Sequence, residues 1–257
     1  MSTSADIPTD QFAALADTET QRLAARMAQD AFAGAFRLAV AADEAADQGA
    51  LGEAAARCFN WCQAAGSDEA RALRLALLVS GMDQWGLAYT QAFRLQAIPD
   101  LTVLIGGLRT RLDAGADARF QQYFAAINED EAAVIDFKIA LRRAIHLALW
   151  HAMAACETSE QVGGIVQALG SMMLGLNGKM PTLGWRLLAD ALASMQISLL
   201  TGGVPPMAAE GTQQLFAALQ HALPGERYQA IMAYSTQAVL GWQQAQRARP
   251  GDAGEAS

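Results

Sequence analysis

Long stretches rich in apolar residues, separated by short polar breaks, make up most of this chain. Ala and Leu supply most of the apolar positions and β-branched residues are scarce, a bias that favours helices over strands. Seven prolines divide the stretches at positions suited to a first helical turn. The pattern predicts an all-α fold, with helices at residues 10–47, 50–64, 67–96, 99–113, 115–127, 129–156, 158–178, 182–201, 206–222 and 224–248.

The pattern of apolar residues from Asn128 to Glu157 predicts that this segment is the central helix of the fold. Its apolar residues surround nearly the whole helix at 100° per residue, and a helix that is apolar on all sides is a buried one. These residues are Ile135, Phe137, Ile139, Leu141, Ile145, Leu149 and Met153. We therefore expect a bundle of about 8–10 antiparallel helices around a central buried helix at 129–156.

Helix starts are marked by capping residues. Ser67 precedes two acidic residues and Asn128 precedes three, which suits an exposed helix N-terminus and its dipole. Thr158 with Gln161 fits a capping box, in which two side chains satisfy backbone donors reciprocally. These positions predict three helix N-termini.

Length and composition predict a single domain. A chain of 257 residues can form one large domain or two small ones. No linker-like composition interrupts the interior, so we expect one helical domain at 9–248, with flexible termini at 1–8 and 249–257. Hydrophobic residues make up 53% and charged residues 17% of the chain, a composition unlike that of disordered proteins.

The charge and cysteine content narrow the functional classes. A formal net charge of -8 disfavours nucleic-acid binding, which depends on clustered Lys and Arg. An odd number of cysteines, three, does not suggest a disulfide framework. The first ten residues lack the basic and apolar regions of a secretory signal. We therefore expect a cytoplasmic protein.

Two uncharged stretches raise the question of membrane insertion. Residues 161–178 contain five glycines, and residues 191–209 are broken by two glycines and two prolines. Both are weak as transmembrane spans, so a buried helix pair is favoured over a membrane hairpin.

Basic residues on the predicted central helix form the first candidate site. Arg142, His146 and Trp150 follow at intervals of four and share one face, and Arg143 lies beside His146. A pocket could hold an anionic group through Arg142 or Arg143, with His146 handling a proton. The alternative is a structural role, in which these cations pair with internal carboxylates: Asp83, Asp136 or Glu131.

Polar-tipped residues after the apolar run 72–79 form the second candidate. Trp85 and Tyr89 are of the kind that line ligand pockets or become buried at partner surfaces, and Asp83 lies close to them in sequence. The alternative is core packing, with Asp83 in a structural ion pair. If these residues instead bind a ligand, we expect a pocket where Trp85 and His146 converge.

Metal, cofactor and catalytic motifs find no support in the sequence. His146 and His151 lie about 140° apart on a helix and cannot share one metal from the same face. Cys58 and Cys62 share a face but have no third ligand nearby, so we expect small buried hydrophobes. We predict no metal, no cofactor and no catalytic residue.

These observations favour a non-enzymatic, cytoplasmic helical protein-interaction module, such as a regulator, adaptor or chaperone-like protein, acting as a homodimer. An Ala-, Leu- and Met-rich helical surface suits helix-in-groove recognition. The first alternative is a protein or enzyme that binds a small amphipathic or anionic ligand near Trp85 and His146. The second alternative is a secreted effector or membrane-inserting protein that uses residues 161–209.

Overall fold

The computed structural model describes residues 9–40, 44–93, 99–110, 114–129, 133–153, 155–179, 184–201 and 206–248. Within these ranges the chain forms eleven α-helices and no β-strand, which confirms the predicted all-α fold. The helices are α1 (Thr9–Leu15), α2 (Thr18–Val40), α3 (Glu44–Gln63), α4 (Asp68–Phe93), α5 (Pro99–Arg109), α6 (Ala114–Glu129), α7 (Ile135–Met153), α8 (Ser159–Lys179), α9 (Gly184–Leu200), α10 (Pro206–Ala222) and α11 (Gly225–Ala248). The termini predicted to be flexible, 1–8 and 249–257, lie outside the described residues.

Two of the predicted caps begin helices. The Ser67 hydroxyl accepts a hydrogen bond from the backbone N–H of Ala70 at 3.2 Å, at the start of α4. At the start of α8, Thr158 Oγ1 accepts from the Gln161 backbone at 3.3 Å, and Gln161 Oε1 accepts from the Thr158 backbone at 3.2 Å. This reciprocal pair is the predicted capping box and is confirmed.

The first predicted helix boundary is wrong. The segment predicted as one helix at 10–47 contains α1, α2 and the start of α3. Asp17 separates α1 from α2, because its Oδ1 accepts from the backbone N–H of Thr20 at 2.8 Å and caps the second helix. An N-cap residue has a non-helical backbone, so α1 cannot continue through it.

The predicted helix at 129–156 also begins later than expected. Asn128 lies near the end of α6, where its Nδ2 donates to the Phe124 carbonyl at 2.8 Å, and it does not cap α7. Val134 adopts a φ of 46°, a left-handed conformation that interrupts a helix, and α7 starts after it at Ile135. The backbone N–H of Phe137 then donates to Gln21 Oε1 at 3.1 Å, which helps to cap the new start.

The described residues pack as two compact units, Met1–Ile145 and His146–Ser257, and the division falls within α7. The expected single domain at 9–248 therefore stays a prediction. In the first unit, α4 packs mainly along α2 and α6. All residues from 72 to 82 of α4 are buried except Arg74, which is half-buried, so this segment forms the core of the first unit.

Helix α7 has one buried stripe rather than burial on all sides. Five buried apolar residues recur at intervals of four: Phe137, Leu141, Ile145, Leu149 and Met153. The buried His146 and Trp150 widen this stripe toward the C-terminal end of the helix. Ile135 is 39% exposed and Arg143 is exposed, while Ile139 is half-buried. The stripe is the usual pattern of a helix that buries one face. The central position predicted for this helix stays a prediction.

Glycine and alanine bring α2 and α4 into close contact. Gly81 on α4 lies so near α2 that an added Cβ would be 2.5 Å from the Cβ of Ala28. The same Cβ would lie 3.4 Å from the Phe137 ring. Only the absence of a side chain at Gly81 permits this approach. The contact fixes the distance between α2 and α4, and with it the packing of the larger side chains farther along both helices.

The second unit is built from two helix pairs. Helix α8 packs on α10, and α9 packs on α11. Gly211 on α10 lies against α7, since an added Cβ would be 2.5 Å from Met153 Sδ. Ile231, Ser235 and Val239 form the buried stripe of α11. In the part of the chain that the structure describes, no helix is both long enough and apolar enough to cross a membrane.

Cys58 and Cys62 are both buried on α3, as expected for small hydrophobes. Burial raises the pKa of Cys58 to about 11 and that of Cys62 to about 12. Because the thiolate is the reactive form, both thiols should resist a disulfide-exchange reagent at neutral pH. With a reagent that releases a coloured thiol on disulfide exchange, we expect one cysteine of the folded protein to react, the half-exposed Cys156. In urea, all three cysteines should react. Rapid reaction of a second thiol in the folded protein would contradict this assignment.

Candidate functional site

Trp85 and Tyr89 lie together on one face of α4, as the sequence predicts. They are one helical turn apart, with ring centroids 5.8 Å from each other. Asp83 lies about 200° around the helix from Trp85 and is exposed. Although its carboxyl reaches solvent, partial burial raises the pKa of Asp83. The structure therefore groups Trp85 with Tyr89 and leaves Asp83 apart.

Three phenylalanines complete an aromatic cluster around this pair. Phe32 of α2 stacks on Trp85 with a centroid distance of 5.4 Å and an interplanar angle of 18°. Phe36 packs edge-on against Tyr89 at 5.0 Å, and Phe93 lies 5.3 Å from Tyr89. These three phenylalanines are not among the site residues predicted from the sequence. Their spacing of four, at 32 and 36 and at 85, 89 and 93, is a signal that could have identified two facing aromatic stripes.

The indole of Trp85 is buried without a hydrogen-bond acceptor. The residue is 2% exposed, and its Nε1 has no partner in the described part of the chain. Burial raises the pKa of the neighbouring Tyr89 hydroxyl. The aromatic cluster therefore combines five rings with one unpaired donor.

The basic residues of α7 have different environments. Arg143 is exposed, whereas Arg142 is half-buried and desolvation lowers its pKa to about 10. Asp136, one of the carboxylates considered as a partner for Arg142, accepts from Thr18 Oγ1 at 2.7 Å and pairs with Arg22 at 3.4 Å. Glu131, another candidate partner, lies outside the described residues. The partners of Asp136 are therefore Thr18 and Arg22 of α2, and no ion pair with Arg142 is present among the described residues.

His146 and Trp150 belong to the second unit. His146 is 1% exposed. Trp150 is buried and its Nε1 donates to Thr212 Oγ1 at 2.9 Å, while the Thr212 hydroxyl donates to the Ala208 carbonyl at 2.7 Å. This chain of hydrogen bonds ties α7 to α10. Since Trp85 belongs to the first unit, the predicted pocket between Trp85 and His146 stays a prediction.

The outer face of α11 is exposed and uncharged. Nineteen consecutive residues, from Tyr228 to Gln246, include no Asp, Glu, Lys, Arg or His. The exposed side of this stretch is defined by Gln229, Ala230, Ala233, Tyr234, Gln237, Leu240, Gly241 and Gln244. Leu240 is 50% exposed. We call these eight residues the α11 outer face.

Tyr234 of the α11 outer face contacts an aromatic residue of α9 that lies beside a cation. Tyr234 is 37% exposed and packs edge-on against the half-buried Trp185 of α9, with ring centroids 5.7 Å apart. The guanidinium of Arg186 lies 5.3 Å from the Trp185 ring centroid. This surface is not among the sites predicted from the sequence, although the uncharged run at 228–246 is a signal that could have identified it.

Comparison of the chain with protein-family models, curated proteins and solved structures found no match.

Proposed function

We propose that this protein is a non-enzymatic helical interaction module, a regulator, adaptor or chaperone-like subunit, that binds a second copy of itself through the α11 outer face. The observation that carries the proposal is the exposed side of the uncharged stretch at 228–246, where Tyr234 packs against Trp185. The proposal includes a cytoplasmic location. The three cysteines are free thiols, which suits a reducing compartment.

The composition of this face is that of an interface rather than of a solvated helix. Exposed helix faces normally carry charged residues opposite the buried stripe. Charged residues are instead depleted at the cores of protein interfaces, where aromatic residues and Arg are enriched. Trp, Tyr and Arg are the residue types that most often form binding hot spots. Here Trp185 contacts both Tyr234 and Arg186.

The distribution of charge favours the α11 outer face as the place where two copies meet. The chain carries a formal net charge of -8, so two copies repel each other through most of their surfaces. The α11 outer face presents no charge to its copy. Its glutamines, Gln229, Gln237 and Gln244, each carry a donor and an acceptor, so two identical faces can satisfy each other across a two-fold axis.

Small residues on the α11 outer face allow close packing, and the length of the face limits how tightly two copies can bind. Ala230, Ala233 and Gly241 permit close approach of a second helix, and nothing lies within 4 Å of a Cβ built at Gly241. The uncharged stretch is about 28 Å long at 1.5 Å per residue. One helix pair of this length buries less area than a standard interface, so we expect a dissociation constant on the order of micromolar.

Sedimentation equilibrium between about 1 and 200 μM protein tests the proposal around that dissociation constant. We expect the wild type to pass from monomer to dimer over this range. Tyr234→Ala removes an exposed hot-spot ring and should weaken association at least about tenfold. Gln220→Ala, an exposed substitution on α10, is the matched control and should leave association unchanged. A wild-type protein that stays monomeric throughout would overturn the proposal.

A further inference from the structure

The aromatic cluster of the first unit is graded from buried to exposed. Trp85 and Phe32 are each 2% exposed, Tyr89 and Phe36 are half-buried, and Phe93 is 36% exposed. Each ring contacts at least one other ring of the cluster, with centroids between 4.9 and 6.1 Å apart. A continuous aromatic surface therefore runs from solvent at Phe93 to the buried indole of Trp85.

The unpaired Trp85 donor distinguishes this cluster from ordinary core packing. Buried side-chain donors in folded proteins nearly always have an acceptor. Trp150 follows that rule, because its Nε1 donates to Thr212 Oγ1 at 2.9 Å. Trp85 is equally buried, yet its Nε1 has no acceptor in the described part of the chain. An acceptor from a bound molecule would satisfy this donor.

The residues around Trp85 Nε1 indicate which kind of molecule can bind there. The cluster residues are aromatic and neutral, and burial is the cause that raises the pKa of Tyr89. An ionised ligand would lose its hydration there without a compensating charge. Aromatic rings favour flat apolar molecules, which they contact by offset stacking or edge-on.

We propose that the aromatic cluster binds a neutral, planar, apolar molecule whose hydrogen-bond acceptor pairs with Trp85 Nε1. The site lies in the first unit and does not involve the α11 outer face, so it stands or falls independently of self-association. Trp85 supplies direction through its N–H, and the phenylalanines and Tyr89 supply the apolar contact area.

Two bicyclic probes of similar shape test the proposal on the full-length chain. Coumarin carries a carbonyl acceptor, and naphthalene has none. We expect Trp85→Phe, which keeps an aromatic ring but removes the donor, to weaken coumarin binding about tenfold in equilibrium dialysis and to change naphthalene binding much less. Trp150→Phe is the matched control, because the Trp150 donor is already paired, and it should alter neither probe.

A second measurement does not depend on the folding of a variant. Of the five tryptophans, one indole N–H resonance of the wild-type protein should shift farther downfield with coumarin than with naphthalene, because only coumarin adds a hydrogen bond to the ring-current effect of both probes. Equal loss of both probes in Trp85→Phe would assign Trp85 a packing role and overturn the proposal. Failure of coumarin to bind the wild type, or to move an indole resonance, would overturn it as well.

Discussion

Replacing Gly81 with alanine is expected to lower the free energy of unfolding by about 3 kcal/mol, a cost typical of overpacking in a core. The new methyl group would lie 2.5 Å from the Cβ of Ala28, closer than two carbon atoms can pack. A Cβ atom has no rotamer through which to escape, so α2 and α4 must move apart. Urea unfolding followed by circular dichroism at equilibrium measures the loss.

Gly52→Ala is the matched control for this substitution. Gly52 lies inside α3, is exposed, and has nothing within 4 Å of a Cβ built on its backbone. Alanine should therefore stabilise this helix by about 0.5–1 kcal/mol through its better helix propensity. Opposite signs for the two substitutions would support the close approach of α2 and α4. A stabilising effect of Gly81→Ala would contradict it.

The sequence predicts the fold class and part of the local structure because both depend on short-range chemistry. The Ala and Leu content favours helices, and the capping box of Thr158 and Gln161 is formed by residues three positions apart. The late start of α7 could not be predicted in this way. It depends on the left-handed backbone of Val134 and on Gln21, which lies 116 residues from its partner Phe137.

The candidate sites were harder to predict, since they require the pairing of distant helices. Trp85 and Tyr89 could be named from α4 alone, whereas Phe32 joins them only after α2 packs beside α4. The packing of Tyr234 against Trp185 likewise requires α11 to lie against α9. The absence of charged residues from 228 to 246 can be read directly from the sequence. Its significance emerges only once the structure shows which side of the helix is exposed.

Placing a charge in the middle of the α11 outer face is expected to abolish self-association. Gln237 is exposed and lies at the midpoint of α11, so a two-fold axis through a pair of these helices would bring it near its own copy. Gln237→Glu would then oppose two negative charges, and Gln237→Lys two positive charges. Like charges facing each other in an interface cost several kcal/mol, so each variant should bind its own copy at least about 100-fold more weakly.

An equimolar mixture of Gln237→Glu and Gln237→Lys tests the central claim most directly, because opposite charges attract only if the two copies present the same face to each other. Sedimentation velocity on the mixture and on each variant alone is the measurement. Self-association through the α11 outer face predicts that each variant alone is a monomer and that the mixture forms a dimer. Two variants that dimerise as the wild type does, or a mixture that remains monomeric, would contradict it.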